Sequence, residues 1–243
     1  MALILNIDTA LDTAAISLAQ DATVLASAIN ESQKDHAAWI QSAIEDLIKN
    51  AGHEMADITA VGVSNGPGSY TGLRIGLATA KGLCYALKIP LITVNSLEVI
   101  AVDAIKRIEG AEAEILNAGP NAENIKISDL LFCSMIDARR MEVFVAIYDI
   151  DSKEVIKPQA WLLKPASFEE LLKRQKILFL GNGSKKFQQI CENTDNAMFK
   201  NFPLNPSALA ALTYENFIGN NFAGLAYTEP LYLKEFFTMM KKN

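Results

Sequence analysis

The chain has 243 residues, half of them hydrophobic and 21% charged, with a formal net charge of −6. That length suits two lobes better than one small core, and the acidic balance excludes a surface that holds nucleic acid on its own charge. The 3 cysteines, Cys84, Cys133 and Cys191, are widely spaced and form no Cys-x-x-Cys pair, which points to reduced core thiols in a cytoplasmic protein.

The N-terminal stretch is apolar, but it has no basic start and is interrupted by Asp8 and Asp12, so it reads as strands and not as a leader. No apolar run reaches membrane-spanning length. Short apolar runs at 3–8, 13–19 and 23–29, separated by Asp8-Thr9-Ala10 and Gln20-Asp21, predict a three-stranded meander. Asp35 is placed to cap a helix whose Ile40, Ile44, Leu47 and Ile48 share one face and which Gly52 ends. A strand over 58–64 follows.

The stretch SNGPGSYTGLRIGLATAKGLCYAL, residues 64–87, is a strand end, a glycine loop and a helix in succession. Gly66, Gly68 and Gly72 permit positive φ or close approach, and Ser69 or Thr71 can cap the first helical N–H groups. Two readings stand: an anion nest with Arg74 one turn in, or a tight capped turn. No Gly-Lys-Ser/Thr follows, so it is not a Walker loop. Within the helix, Gly72, Gly76 and Ala80 form a small-residue stripe. Such a stripe packs either on the chain's own sheet or on a partner helix. Trp39 and Ala43 flank the preceding helix and complete the partner reading.

Pro90 breaks away, 91–94 is a strand, and Ser96 caps a helix to about Arg107. Residues 109–128 turn acidic and then rich in Asn, Ala and Gly, as expected of a partly mobile insertion between lobes of 1–108 and 109–243. The pattern then repeats. Strands at 129–136, 142–149 and 154–163 turn at Asp137-Ala138-Arg139-Arg140. Ser167 with Glu170 makes a capping box, 177–180 is a strand, and Gly181-Asn182-Gly183-Ser184 opens another helix. A helix from Pro206 to about Ile218 and the terminal PLYLKEF close the chain. The two halves share the order βββαβα and a glycine loop at matching places.

A duplicated βββαβα unit resembles the superfamily of actin, the heat-shock chaperone ATPases and the sugar kinases, whose ribonuclease-H-like α/β lobes face a central cleft. That resemblance implies nucleotide phosphates between the hairpin turns and a last helix that crosses back to the first lobe. On this chain the weak candidates are Asp8, Thr9, Gly66, Gly68, Ser69 and Asp137. The first turn, Asp8 to Thr13, lacks the glycines of a phosphate-clasping hairpin, and both Asp residues can equally serve as turn caps.

Residues 66–101, GPGSYTGLRIGLATAKGLCYALKIPLITVNSLEVIA, resemble the signature block of the TsaB (YeaZ) family of bacterial tRNA threonylcarbamoyladenosine biosynthesis proteins. ILNIDTA at 4–10, IDARRMEVF at 136–144 and PLYLKEF at 230–236 extend the resemblance across both halves. It implies a non-catalytic scaffold or activator of the complex that places threonylcarbamoyl on the adenosine beside the anticodon. It also implies a TsaD-type catalytic subunit and a TsaE-type ATPase as partners, tRNA held through the complex, a homodimer when alone, and ATP only at the level of the complex. The implied partner surface is a helix pair carrying Trp39, Ala43, Gly72, Arg74, Gly76 and Ala80.

TsaD carries two His four residues apart on a helix, whereas here Ile40 follows His36 at that spacing and His53 lies beyond the helix end. No such metal site can be built. His36 and His53 are expected to be solvated or capping. No catalytic residue, resident metal or tightly bound cofactor is expected. A small-molecule or acyl kinase of the same superfamily is the alternative, and it requires phosphate loops in both lobes with a catalytic carboxylate between them. A metallopeptidase-like hydrolase would need the absent histidine pair.

Overall fold

In the computed structural model, which describes residues 1–32, 35–111, 126–192 and 195–234, the first apolar run forms the centre of a sheet. Strand β1 (Leu3–Asp8) is buried at all six positions. It pairs antiparallel with β2 (Ala14–Gln20) and parallel with β4 (Ala60–Ser64). Strands β3 (Thr23–Asn30) and β5 (Leu91–Val94) complete the order β3-β2-β1-β4-β5. Burial of both faces follows from the period of two: Leu3, Leu5 and Ile7 point into one apolar cluster and Ile4 into another.

The second half rebuilds the same sheet. Strands β6 (Leu130–Asp137), β7 (Glu142–Tyr148), β8 (Glu154–Leu162), β9 (Lys176–Leu180) and β10 (Ala197–Phe199) take the order β10-β9-β6-β7-β8. Each position corresponds to its counterpart in the first sheet. The α/β architecture with duplicated lobes is therefore as the element order predicts, with one addition. Strand β10 is three residues of intermediate burial, too short and too weakly alternating for the sequence to reveal.

Helices α1 (His36–Asn50) and α2 (Tyr70–Leu87) cover the outer face of the first sheet. Short α4 (Glu169–Leu172) and α5 (Ser184–Gln188) cover that of the second, where Phe168, Phe179 and Phe187 pack with ring centroids 4.8–5.1 Å apart. The inner faces are covered by exchange. Helix α3 (Ser96–Ala111) comes from the first half but places Leu97, Ala101, Ala104 and Ile105 against Phe132, Ala146 and Tyr148 of the second sheet. Helix α6 (Pro206–Ile218) comes from the second half and places Ala208, Leu209 and Leu212 against Ile4, Ala60 and Ile92 of the first. Val99 and Val102 of α3 join that cluster, so the exchanged helices also pack on each other.

A polar contact fixes α6. The Thr213 hydroxyl donates to Asn6 Oδ1 at 2.5 Å in the buried interior, over Gly62 of β4. A Cβ on Gly62 would overlap the Thr213 methyl group. Beyond α6, Ala223 N–H donates to Leu91 carbonyl on the edge of β5, and Leu231 N–H donates to Asn65 carbonyl, both at 2.8 Å. Lys81 Nζ holds the carbonyls of Ala226 and Thr228, and Lys234 reaches Glu142 at the start of β7.

Local expectations need correction at several points. Ser167 Oγ accepts from Lys164 N–H and makes no capping box, and α4 is a single turn. Asp35 takes the N-cap position of α1 without a side-chain cap bond; its carboxylate accepts from Ser32 Oγ instead. Of the expected insertion at 109–128, residues 109–111 continue α3 and 127–129 form a 3-10 turn, while 112–125 lie outside the described residues, as do Glu235 and Phe236 of PLYLKEF.

Replacing Gly62 with Ala forces α6 away from β4. We expect a loss of about 1–3 kcal/mol of stability, typical of overpacking, read as a lower urea midpoint.

Candidate functional site: glycine loops and the cleft between the sheets

The glycine loop after β4 forms where the sequence predicts it, and the N–H groups of Gly66, Ser69 and Gly72 are used within the chain. Gly66 has φ 109°, open to glycine at little cost. Its N–H donates to Ser96 Oγ at 3.1 Å, and its carbonyl accepts from Ser96 N–H at 2.8 Å. Ser69 N–H donates to the Ala10 carbonyl at 2.7 Å, and Gly72 N–H donates to Ser69 Oγ at 3.3 Å. A Cβ on Gly68 would overlap the Ala10 carbonyl. The turn after β1 thus fills the space an anion would need, and Gly66, Gly68 and Ser69 are a lock between loop and hairpin. Thr9 belongs to the same lock: wholly buried, its hydroxyl donates to Gly72 carbonyl at 2.7 Å.

The second glycine loop repeats the device. Gly181, with φ 80°, has no room for a Cβ beside the Met135 carbonyl, and Gly183 N–H donates to that carbonyl at 3.1 Å. Asp137 is exposed. Its Oδ1 accepts from Arg139 N–H and from Lys186 Nζ, both at 2.6 Å, so it caps its own turn.

Asp8 has a different setting. It is only 8% exposed, and its Oδ1 accepts from Ser64 Oγ at 2.6 Å and from Ala10 N–H at 3.1 Å. Burial pushes its carboxyl above the usual carboxylate range, against the lowering effect of those two bonds. Asp8 opens on a cavity of about 310 Å³ between the sheets, walled by the first hairpin, α3, the second glycine loop and the segment before α6. Asp137 is not part of that wall, so the pairing of Asp8 with Asp137 across a cleft is not what the chain builds. The position matching the sequence argument is taken by Asn182, whose Oδ1 accepts from Asp137 N–H at 2.9 Å. The sequence reading missed Ser64, Ser96 and Asp103. Only Ser96 carried a signal, as a cap.

The helix stripe also requires correction. Gly72, Gly76 and Ala80 are buried against β1 and its turn: a Cβ on Gly72 would overlap the Thr9 carbonyl and one on Gly76 the Thr9 hydroxyl. Ala43 is likewise buried in the cluster under α1, and Trp39 is half-buried against it. None of the four small residues is open to a partner. Arg74 is exposed, lying 4.0 Å over the Tyr70 ring with its Nε donating to Tyr232 hydroxyl at 3.0 Å. The outward side of α2 carries a second small stripe, Ala78, Gly82 and Ala86, beside Tyr85 at 80% exposure, and nothing stands within 4 Å of a Cβ on Gly82. Both stripes share the four-residue spacing, so the sequence alone could not tell inward from outward.

His36 is buried, not solvated: it is 2% exposed, with Nδ1 3.3 Å from Asn30 Nδ2 and Nε2 without a partner among the described residues. His53 lies 3.6 Å from Asp57. Cys84 and Cys133 are core thiols, and burial pushes Cys84 up to about 11. Among the described residues, no three His, Cys, Asp or Glu side chains gather as a metal site, and no helix is long and apolar enough to cross a membrane.

Against this geometry the relatives can be weighed. A *Bacillus subtilis* protein described as tRNA threonylcarbamoyladenosine biosynthesis protein TsaB is 31% identical over 195 residues, covering 78% of this chain and 75% of its own. The chain belongs to the TsaB (YeaZ) family. The *Escherichia coli* K12 TsaB is 27% identical over 237 residues, covering 95% of this chain and 94% of its own. The family model for TsaD, tRNA N6-adenosine threonylcarbamoyltransferase, matches residues 23–223. A solved YeaZ from *Pseudomonas aeruginosa* superposes with a TM-score of 0.75 at 22% identity, over 96% of this chain and all of that one, which shows the fold is shared. This TsaB-family chain therefore has the duplicated α/β architecture of YeaZ, with both glycine loops engaged on their own hairpins.

Two variants separate the stripes. Gly76→Ala should lower stability by about 1–3 kcal/mol through overpacking, and Gly82→Ala should raise it by about 1 kcal/mol through helix propensity; paired denaturation curves measure both. Asp8 gives a pH test. Its folded carboxyl titrates above the ordinary 3.8, so the native contribution is fully present below that pH and is lost as pH rises through the folded value. Asp8→Asn should accordingly melt higher than the native chain at pH 7, with the gap closing as pH falls below 3.8.

Proposed function

We propose that this chain acts in tRNA threonylcarbamoyladenosine biosynthesis as a non-catalytic scaffold and activator of a TsaD-type catalytic subunit. The carrying observation is the use of the glycine-loop donors: Gly66, Ser69 and Gly72 N–H all have partners within the chain. A glycine loop whose Gly66, Ser69 and Gly72 N–H groups are taken by the chain itself supports a supporting role over phosphoryl transfer, and so argues against the kinase alternative. The names of the relatives and the TsaD family model support the pathway and the partner.

The docking face in this reading is the outer side of α2, moved from the inward stripe to Ala78, Gly82 and Tyr85, with Arg74 at its upper end. Small residues let a partner helix approach closely, and an exposed tyrosine supplies an anchor. In the same reading a TsaE-type ATPase turns over ATP at the level of the complex, and the partner holds tRNA in the cytoplasm. Two copies of the chain pair through this face when the partner is absent.

Gly82→Arg tests the reading. It should fold and melt no lower than the native chain, since nothing lies near that Cβ and arginine is the better helix former, and lose at least tenfold in affinity for the TsaD-type subunit of the same organism by calorimetry. Undiminished binding overturns the docking face. ATP hydrolysis by the pure native chain, abolished in Asp8→Asn, overturns the non-catalytic role.

A further inference from the structure

The cavity between the sheets has the size of a small-molecule site, about 310 Å³, and its chemistry is opposite to that of a nucleotide pocket. Among its lining residues there is no Lys or Arg. At the end of α3 that faces it, three N–H donors are already taken. Ser96 N–H goes to Gly66 carbonyl, Leu97 N–H to Asn95 Oδ1 and Val99 N–H to Asn95 carbonyl. On the opposite wall, Ser184 N–H goes to Gly181 carbonyl. A polyphosphate would enter with its charge uncompensated, facing carboxylates.

Those carboxylates are Asp8, Asp12 and Asp103. Asp103 is neutralised by Arg107, whose Nε lies 2.9 Å from its Oδ2 and whose Nη2 donates to Pro203 carbonyl. Asp8 is not neutralised. Both of its hydrogen bonds fall on Oδ1 from neutral donors, and no described residue bonds Oδ2. A buried carboxylate of this kind gains from a cation brought beside it. Leu11, Val99, Ile100 and Leu204 give the wall an apolar stretch, Thr13, Asn182, Asn201 and Asn205 are its uncharged polar members, and Phe202 adds an aromatic ring that already has the Arg107 guanidinium 5.2 Å from its centroid. Among the described residues no three His, Cys, Asp or Glu side chains gather closely enough to hold a metal ion there. A protonated amine on an apolar body would find a carboxylate for its charge and apolar side chains for its carbon.

We infer that the cleft binds an amphipathic organic cation, a primary ammonium carried on an apolar body of about ten heavy atoms, and excludes nucleotide polyphosphates. The ammonium lies at Asp8 Oδ2 and the body runs along α3 towards Phe202. This site is separate from the α2 docking face and stands or falls independently of the scaffold role.

The test is calorimetric titration of the full chain at pH 7.5 with 4-phenylbutylamine, with the neutral 4-phenylbutan-1-ol and with magnesium ATP. The amine should bind with a dissociation constant on the order of 1 mM or tighter. The alcohol should bind at least tenfold more weakly, and ATP should neither bind nor displace the amine. Asp8→Asn keeps an acceptor for Ser64 and should weaken the amine at least tenfold while leaving the alcohol unchanged. Leu11→Trp, at the tip of the first hairpin, should block amine and alcohol alike, and it serves as the arbiter if Asp8→Asn does not fold. No amine binding, equal affinity for amine and alcohol, an unaffected Asp8→Asn or Leu11→Trp chain, or displacement by ATP each overturns the inference.

Discussion

The structure depends on the contact between α3 and α6. Each sheet has one face that its own half of the chain leaves open, and each open face is closed by the helix of the other half. Leu97 and Ala101 close the second sheet and Leu209 and Leu212 the first, while Val99 and Val102 join the two helices. Apolar area of this kind is the dominant favourable term in folding, and here neither half can bury it alone. Thr213 and Asn6, 207 residues apart in sequence, add a buried hydrogen bond that sets the seat of α6. The cleft is a consequence of the same arrangement, because its walls are α3, the segment leading to α6 and the hairpin between them.

The glycine loops show how one backbone design can serve two ends. A strand, a glycine turn and a helix make a ready anion site when the first N–H groups stay free. In this chain the hairpin carbonyls of Ala10 and Met135 lie against the two loops and take N–H groups from Ser69 and Gly183. The glycines are required because any Cβ at Gly68 or Gly181 would strike those carbonyls. Close approach of backbone to backbone has replaced close approach of backbone to ligand. Lys186, a cation near the second loop, is likewise turned to Asp137 and Glu142.

Much of the fold was legible because β-strand alternation and turn residues are local signals: the meanders, the two glycine loops and the long helices lie near their expected bounds. What stayed hidden depends on tertiary packing. Strand β10 has three residues and no alternation strong enough to register. Gly72, Gly76 and Ala80 have the same spacing as Ala78, Gly82 and Ala86, so only the seating of α2 on Thr9 assigns one stripe to the interior. His36 looked like a solvated residue at a helix start but is folded under α1 beside Asn30. Asp8 and Asp137 occupy matching turns in sequence. Asp8 is buried at the wall of the cleft and Asp137 is exposed, and that difference decides their chemistry.

The exchange of helices also sets an order of events when the chain is made. A ribosome delivers β1 well before α6, so the inner face of the first sheet, with Ile4, Ala60 and Ile92, emerges before Leu209 and Leu212 exist to cover it. Until α6 emerges that face is an apolar surface awaiting its lid, the kind of surface on which holding chaperones act. The nascent chain cannot finish its first half before its second, and a truncated message leaves behind a sheet with one side bare.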